Sequence, residues 1–83
     1  MKYTVIWQPE AQGQLAELWE SAGDRALVTA AADEMDRLLA LEPIQASESR
    51  EGSTRIIFVS PVGAYFRVFE TERTVRVARV WRY

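Results

Sequence analysis

Residues 50–83 carry seven arginines, at positions 50, 55, 67, 73, 76, 79 and 82, against three glutamates. Four of the seven fall in the closing stretch RTVRVARVWRY, Arg73 to Tyr83, where arginine returns every third residue. A guanidinium is a permanent cation with a planar fork of donors, matched to phosphate and carboxylate oxygens. Residues 1–49 have the opposite balance, three basic groups against nine acidic ones, which the formal net charge of −2 conceals. Parts of opposite sign predict one surface built for an anion or an acidic partner.

Other chemistry is excluded by composition. The chain has neither histidine nor cysteine. A disulfide, a Cys/His zinc cluster and a histidine-activated nucleophile are therefore ruled out. Acid–base work would have to run on carboxylates, tyrosine, lysine or arginine. Asp33, Glu34 and Asp36 read as a solvated helix face, because carboxylates at this spacing without further ligands make a poor metal site. Ser47 and Ser49 read as loop residues, and Trp7, Trp19 and Trp81 as core or edge packing. The sequence calls for no metal and no cofactor. No run approaches the ~18 apolar residues of a membrane span, and MKYTVIWQPE has no signal-peptide core, so the expected compartment is the cytoplasm.

The elements that must position these residues follow from periodicity. Eighty-three residues, 48% hydrophobic and 27% charged, make one small globular domain over 1–83. The β-branched and aromatic KYTVIW, Lys2–Trp7, predicts a strand ending at Gln8-Pro9. Pro9 suits the first turn of a helix, along which Ala11, Leu15, Leu18, Trp19 and Ala22 form one stripe. Asp24 is placed to cap a second helix with the stripe Leu27, Ala30, Ala31, Met35, Leu38 and Leu39, closed at Glu42-Pro43. Two such stripes predict an antiparallel αα-hairpin. After a polar loop over 43–54 come RIIFVS, VGAYFRVFE and RTVRVARVWRY, three strands with short turns that read as an antiparallel meander. The predicted class is α+β, in the order β-α-α-β-β-β, with the helical hairpin on one face of an antiparallel sheet.

Strand side chains alternate, so a spacing of three cannot hold the arginines on one side. With Thr71-Glu72 as the hairpin loop, Val68 faces Val75, Arg67 faces Arg76 and Phe66 faces Val77. The covered side then takes Ala64, Phe66, Val68, Val75 and Val77. The open side takes Tyr65, Arg67, Phe69, Thr74, Arg76, Ala78, Val80 and Arg82. Arg79 falls on the covered side, so either it reaches out to an edge or a bulge at Ala78-Arg79 resets the phase. Arg67 opposite Arg76 is unfavourable unless an anion lies between them. Three readings stay open at this point. Glu51, Glu70 or Glu72 neutralises the arginines; or the arginines and Tyr65 bind an anionic ligand, with phosphates on guanidinium and a base on the ring; or the face docks a protein on Tyr65, Phe69 and Val80.

Over nearly its full length the chain resembles the RelE/ParE superfamily of bacterial type II toxin–antitoxin toxins, also labelled plasmid stabilisation proteins. The segments that carry the resemblance are YTVIWQPEAQGQLAELW, VTAAADEMDRLLALEP, SREGSTRIIFV and FRVFETERTVRVARVWR. The resemblance implies the same element order and, for RelE-like members, ribosome-dependent mRNA cleavage by cations on the open sheet and a C-terminal tyrosine. Residue by residue, it carries that role to Arg55, Arg67, Arg82 and Tyr83, with Arg50 just upstream of the first basic position. An arginine important in the family aligns with Gly63, which has no side chain. Tyr83 is left to stand in for the tyrosine of a missing C-terminal extension. Cleavage would be attack of a ribose 2′-hydroxyl on the adjacent phosphate. Tyr83 or Tyr65 would move the proton, and Arg55, Arg67, Arg76 and Arg82 would stabilise the charged phosphorane.

ParE-like members poison DNA gyrase and lack the ribonuclease residues, and a member that keeps only the interaction surface is a third alternative. The implied partners are a cognate antitoxin and, as target, the ribosome with its mRNA or DNA gyrase; monomer and homodimer both remain open. Nucleic-acid or partner contacts are expected from Arg50, Tyr65, Arg67, Phe69, Arg76 and Arg82.

Overall fold

The computed structural model describes residues 2–83. The chain runs β1 (Thr4–Trp7), α1 (Pro9–Ser21), α2 (Arg25–Leu41), β2 (Glu48–Ser49), β3 (Thr54–Val59), β4 (Val62–Phe69) and β5 (Thr74–Arg82). The strands form one sheet in the order β1-β5-β4-β3-β2. Every pairing from β2 to β5 is antiparallel, as the short turns require, but β1 lies parallel to β5. The sheet is therefore mixed, and β5 is an interior strand. The extra strand β2 is a two-residue ladder cut from the predicted loop.

Both helices cover one face. Pro9 occupies the first turn of α1, where its missing N–H would have had no partner in any case. The second helix presents Val28, Ala31, Met35 and Leu39 inward, against Ile57, Ala64, Phe66, Val75 and Val77 of the sheet. Ala31, Met35, Leu38 and Leu39 of the expected stripe lie against the core, but in the first turn Val28 replaces Leu27, which is 51% exposed, and Ala30 is also exposed. Asp24 precedes α2 but makes no side-chain cap; its carboxylate goes elsewhere, as described below.

The β4–β5 register matches the expected pairs Arg67–Arg76, Phe66–Val77 and Val68–Val75. It then shifts between Tyr65 and Phe66, leaving Ala78 as the extra residue and setting Arg79 opposite Tyr65 and Val80 opposite Ala64. Of the two ways to accommodate Arg79, the bulge is the one realised. A single inserted residue flips everything beyond it. Val80 turns into the core at 5% exposure, while Arg79 and Trp81 turn to the open face. The flip also has a polar consequence. Strand β1 ends at Trp7 beside Val77, so Val80 N–H has no strand neighbour on that side; it donates instead to Gln14 Oε1 of α1 at 2.7 Å.

Candidate functional site

The helices leave the other face of the sheet uncovered. Across its middle run Ile6, Arg76, Arg67 and Thr54, one from each of four strands. Arg67 and Arg76 are direct cross-strand partners, both exposed. Arg79 follows on β5 beside Tyr65. Among the described residues, no carboxylate lies within 4.0 Å of Arg67, Arg76 or Arg79. Glu70, one expected neutraliser, instead accepts a hydrogen bond from the Tyr3 hydroxyl, which holds that phenol above its ordinary pKa. Arg76 lies over the Phe69 ring, its guanidinium carbon 5.1 Å from the centroid, a cation–π contact that turns the charge across the face. These groups line a shallow concavity of about 610 Å³, with Arg50 and Glu51 at its margin. Arg50 is only loosely held, 3.5 Å from Glu48.

Three like charges gathered without a partner are costly in an isolated fold. A bound anion removes that cost, and each charge-assisted hydrogen bond it accepts strengthens as water is excluded. The arrangement presents a cluster of cationic donors of the kind suited to carboxylates or phosphates, with Tyr65 and Phe69 beside it.

Two of the expected site residues are elsewhere. Arg55 pairs across the ladder with Phe66, a core residue, and so points to the helix side. There its guanidinium donates to Ser47 Oγ at 2.7 Å and to the carbonyls of Ile44 and Ser47 at 3.3 Å, satisfying the turn that follows α2. Arg82, flipped by the bulge, reaches the start of α2. It binds Asp24 through both oxygens at 2.8 and 3.0 Å, which holds that carboxyl below its usual range and raises the guanidinium. Neither side chain joins Arg67 and Arg76 around Tyr65.

The far end of the open face is aromatic. Tyr65 and Trp81 have ring centroids 4.8 Å apart, Phe58 meets Trp81 edge-on at 6.2 Å, and Tyr83 meets Phe58 at 5.1 Å. Phe58 and Tyr83 are 47% and 55% exposed. The Trp81 indole lies directly on Gly63, where an added Cβ would stand 2.8 Å from ring carbons. The space that an arginine side chain would need at position 63 is therefore filled by tryptophan. Sequence reasoning missed Arg79, Trp81 and Phe58 on this face. The phase conflict at Arg79 was the available signal, since an arginine aimed at a core is itself evidence for a bulge.

No family model matches the sequence, and no curated protein matches it. Among solved structures, the fold is similar to a chain of the toxin–antitoxin complex RelBE2 from Mycobacterium tuberculosis. That match has a TM-score of 0.81 and 21% identity over 100% of this chain and 93% of that one. It is also similar to a chain of the chromosomal ParDE toxin–antitoxin system from P. aeruginosa, with a TM-score of 0.73 and 17% identity over 96% and 95%. At this identity the likeness establishes the fold alone, which is the one these two chains share.

Proposed function

We propose that this chain is the toxin of a bacterial type II toxin–antitoxin pair, and that its open sheet face is where an acidic, amphipathic antitoxin tail docks. The observation that carries the reading is the trio Arg67, Arg76 and Arg79, side by side on an uncovered face with no carboxylate in reach. A tail carrying Asp or Glu would neutralise them, while its apolar residues would cover Phe69 and the aromatic row. Both similar structures come from toxin–antitoxin systems, which favours the same role here.

Within that role, messenger cleavage is expected to be weak or absent. Arg55 and Arg82 are engaged by Ser47 and Asp24, and position 63 offers no side chain. These features favour a toxin that acts by binding, such as a gyrase poison, over a ribonuclease. The ribonuclease reading retains one favourable feature, Tyr65 set opposite Arg79 in the arginine concavity, which places a hydroxyl and a guanidinium side by side for a phosphate. Induced expression in a bacterial host decides the general claim. Growth should slow, and co-expression of the product of the adjacent reading frame should relieve it. Normal growth at high soluble expression would remove the toxin role. Codon-specific cleavage on translating ribosomes, abolished in Arg67→Ala or Tyr65→Phe, would instead install the ribonuclease.

A further inference from the structure

The side of the molecule opposite the arginines has a docking surface of its own. Helices α1 and α2 diverge enough to leave a groove of about 820 Å³ between them. Its floor is apolar, formed by Leu15, Val28 and the rings of Trp7 and Trp19. Trp19 is 41% exposed, a large ring that stands on the groove wall and is open to water there. The rim is acidic, with Glu20 from α1 and Asp33 and Asp36 from α2. Among the described residues, none of these three carboxylates has a cation within 4.0 Å. Asp36 accepts a hydrogen bond from the Trp7 indole at 2.9 Å, which fixes one wall but leaves the charge uncompensated. Arg25, at the start of α2, is stacked on Trp19 and spends its N–H groups on the carbonyls of Trp19 and Glu20, while Arg37 is paired with Glu34.

We propose that this groove receives an amphipathic helix of a partner protein whose apolar stripe is flanked by lysine or arginine. Shape argues for a helix, since two divergent helices form a trough into which anchors spaced by one turn drop in sequence. Charge selects its flanks: a basic border pairs with Glu20 and Asp33, whereas an acidic one meets repulsion. The same argument excludes the helices of a second copy, whose outward faces carry Asp33, Glu34 and Asp36 themselves. The proposal is independent of the arginine face. Its partner has the opposite charge and binds the opposite side.

The three tryptophans make the test, because Trp7 and Trp19 line the groove while Trp81 lies on the far face. Two synthetic helical peptides with one leucine stripe, flanked by lysine in one and glutamate in the other, are titrated into isotopically labelled protein. The indole N–H signals are followed by NMR. The lysine peptide should shift Trp7 and Trp19, leave Trp81 in place, and bind about tenfold more weakly to a Glu20→Gln, Asp33→Asn double variant. Asp36 is kept because it holds Trp7. Equal binding of the glutamate peptide, a response at Trp81 alone, silence toward both peptides, or shifts of Trp7 and Trp19 on concentrating the protein by itself would each overturn the proposal.

Discussion

At the scale of single residues, Gly63 and Asp24 explain why this surface departs from what the resemblance implied. Trp81 rests on Gly63 so closely that any side chain there must displace it. Gly63→Ala should cost about 1–3 kcal/mol, in the range of core overpacking. Combined with Trp81→Ala, the total should fall short of the sum of the single costs, because the clash is then gone. Urea midpoints of the three variants measure this; strict additivity would mean that the ring does not set the limit. Asp24 makes a stability prediction with a definite sign. Arg82 lowers its folded pKa, so the contribution is complete above the unfolded value near 4 and disappears as pH falls through the lowered folded value. Asp24→Asn should therefore melt below the parent at neutral pH and converge with it in acid. A constant gap across the acid range would show that the Arg82 pairing carries no linkage. These two residues also mark the limit of legibility. Sequence types identified a cation at 82 and a bare backbone at 63, but the partners of each come from distant segments that no local pattern names.

At the scale of elements, the decisive event is the insertion of Ala78. Period-two reading was right from Phe66 to Val77 because alternation is unbroken there and one face must be buried. Beyond it, the pattern Ala78-Arg79-Val80-Trp81 was readable in either phase, and only packing against α1 chooses between them. Gln14 takes part in that choice by accepting Val80 N–H. Gln14→Ala, which leaves that donor unpaired, should lower stability by about 1–3 kcal/mol. Deleting Ala78 should be tolerated, since Val77 and Arg79 then stand opposite Phe66 and Tyr65 in an unbroken ladder that keeps Arg79 outside and Val80 inside. Soluble, folded protein is the expected outcome, and its loss would contradict this register. The parallel placement of β1 was illegible for a related reason. A short strand followed by two helices can join either edge of a sheet, and Lys2–Trp7 carries no signal for which. In α2 only the first turn was misread, because Leu27 and Val28 are equally apolar and it is Val28 that the tertiary packing buries; Ala31, Met35 and Leu39 face the core as their spacing implies.

At the scale of the whole molecule, charge and layering coincide. The sheet's bare face holds the unpaired arginines, while the helical side carries the acidic excess of the first 49 residues. Such a two-signed body steers acidic and basic partners to different sides, and salt should weaken both encounters. None of this is visible in a net charge of −2. The fold class and element order were legible because they follow from periodicity, and the charge asymmetry from counting. Which arginines share a face was legible only for Arg67 and Arg76, since Arg79 and Arg82 exchange sides through the bulge and Arg55 follows the alternation of β3. The central claim is that the arginines of the open face hold the antitoxin. It is tested most directly by the affinity of an Arg67→Ala, Arg76→Ala variant for the product of the adjacent reading frame, measured by calorimetry at low and high salt. Removing a charge-assisted hydrogen bond costs about 1.5–3 kcal/mol, so binding should weaken more than about tenfold and become much less sensitive to salt, with the melting temperature nearly unchanged. Unaltered affinity with a lowered melting temperature would contradict the claim and make these arginines structural.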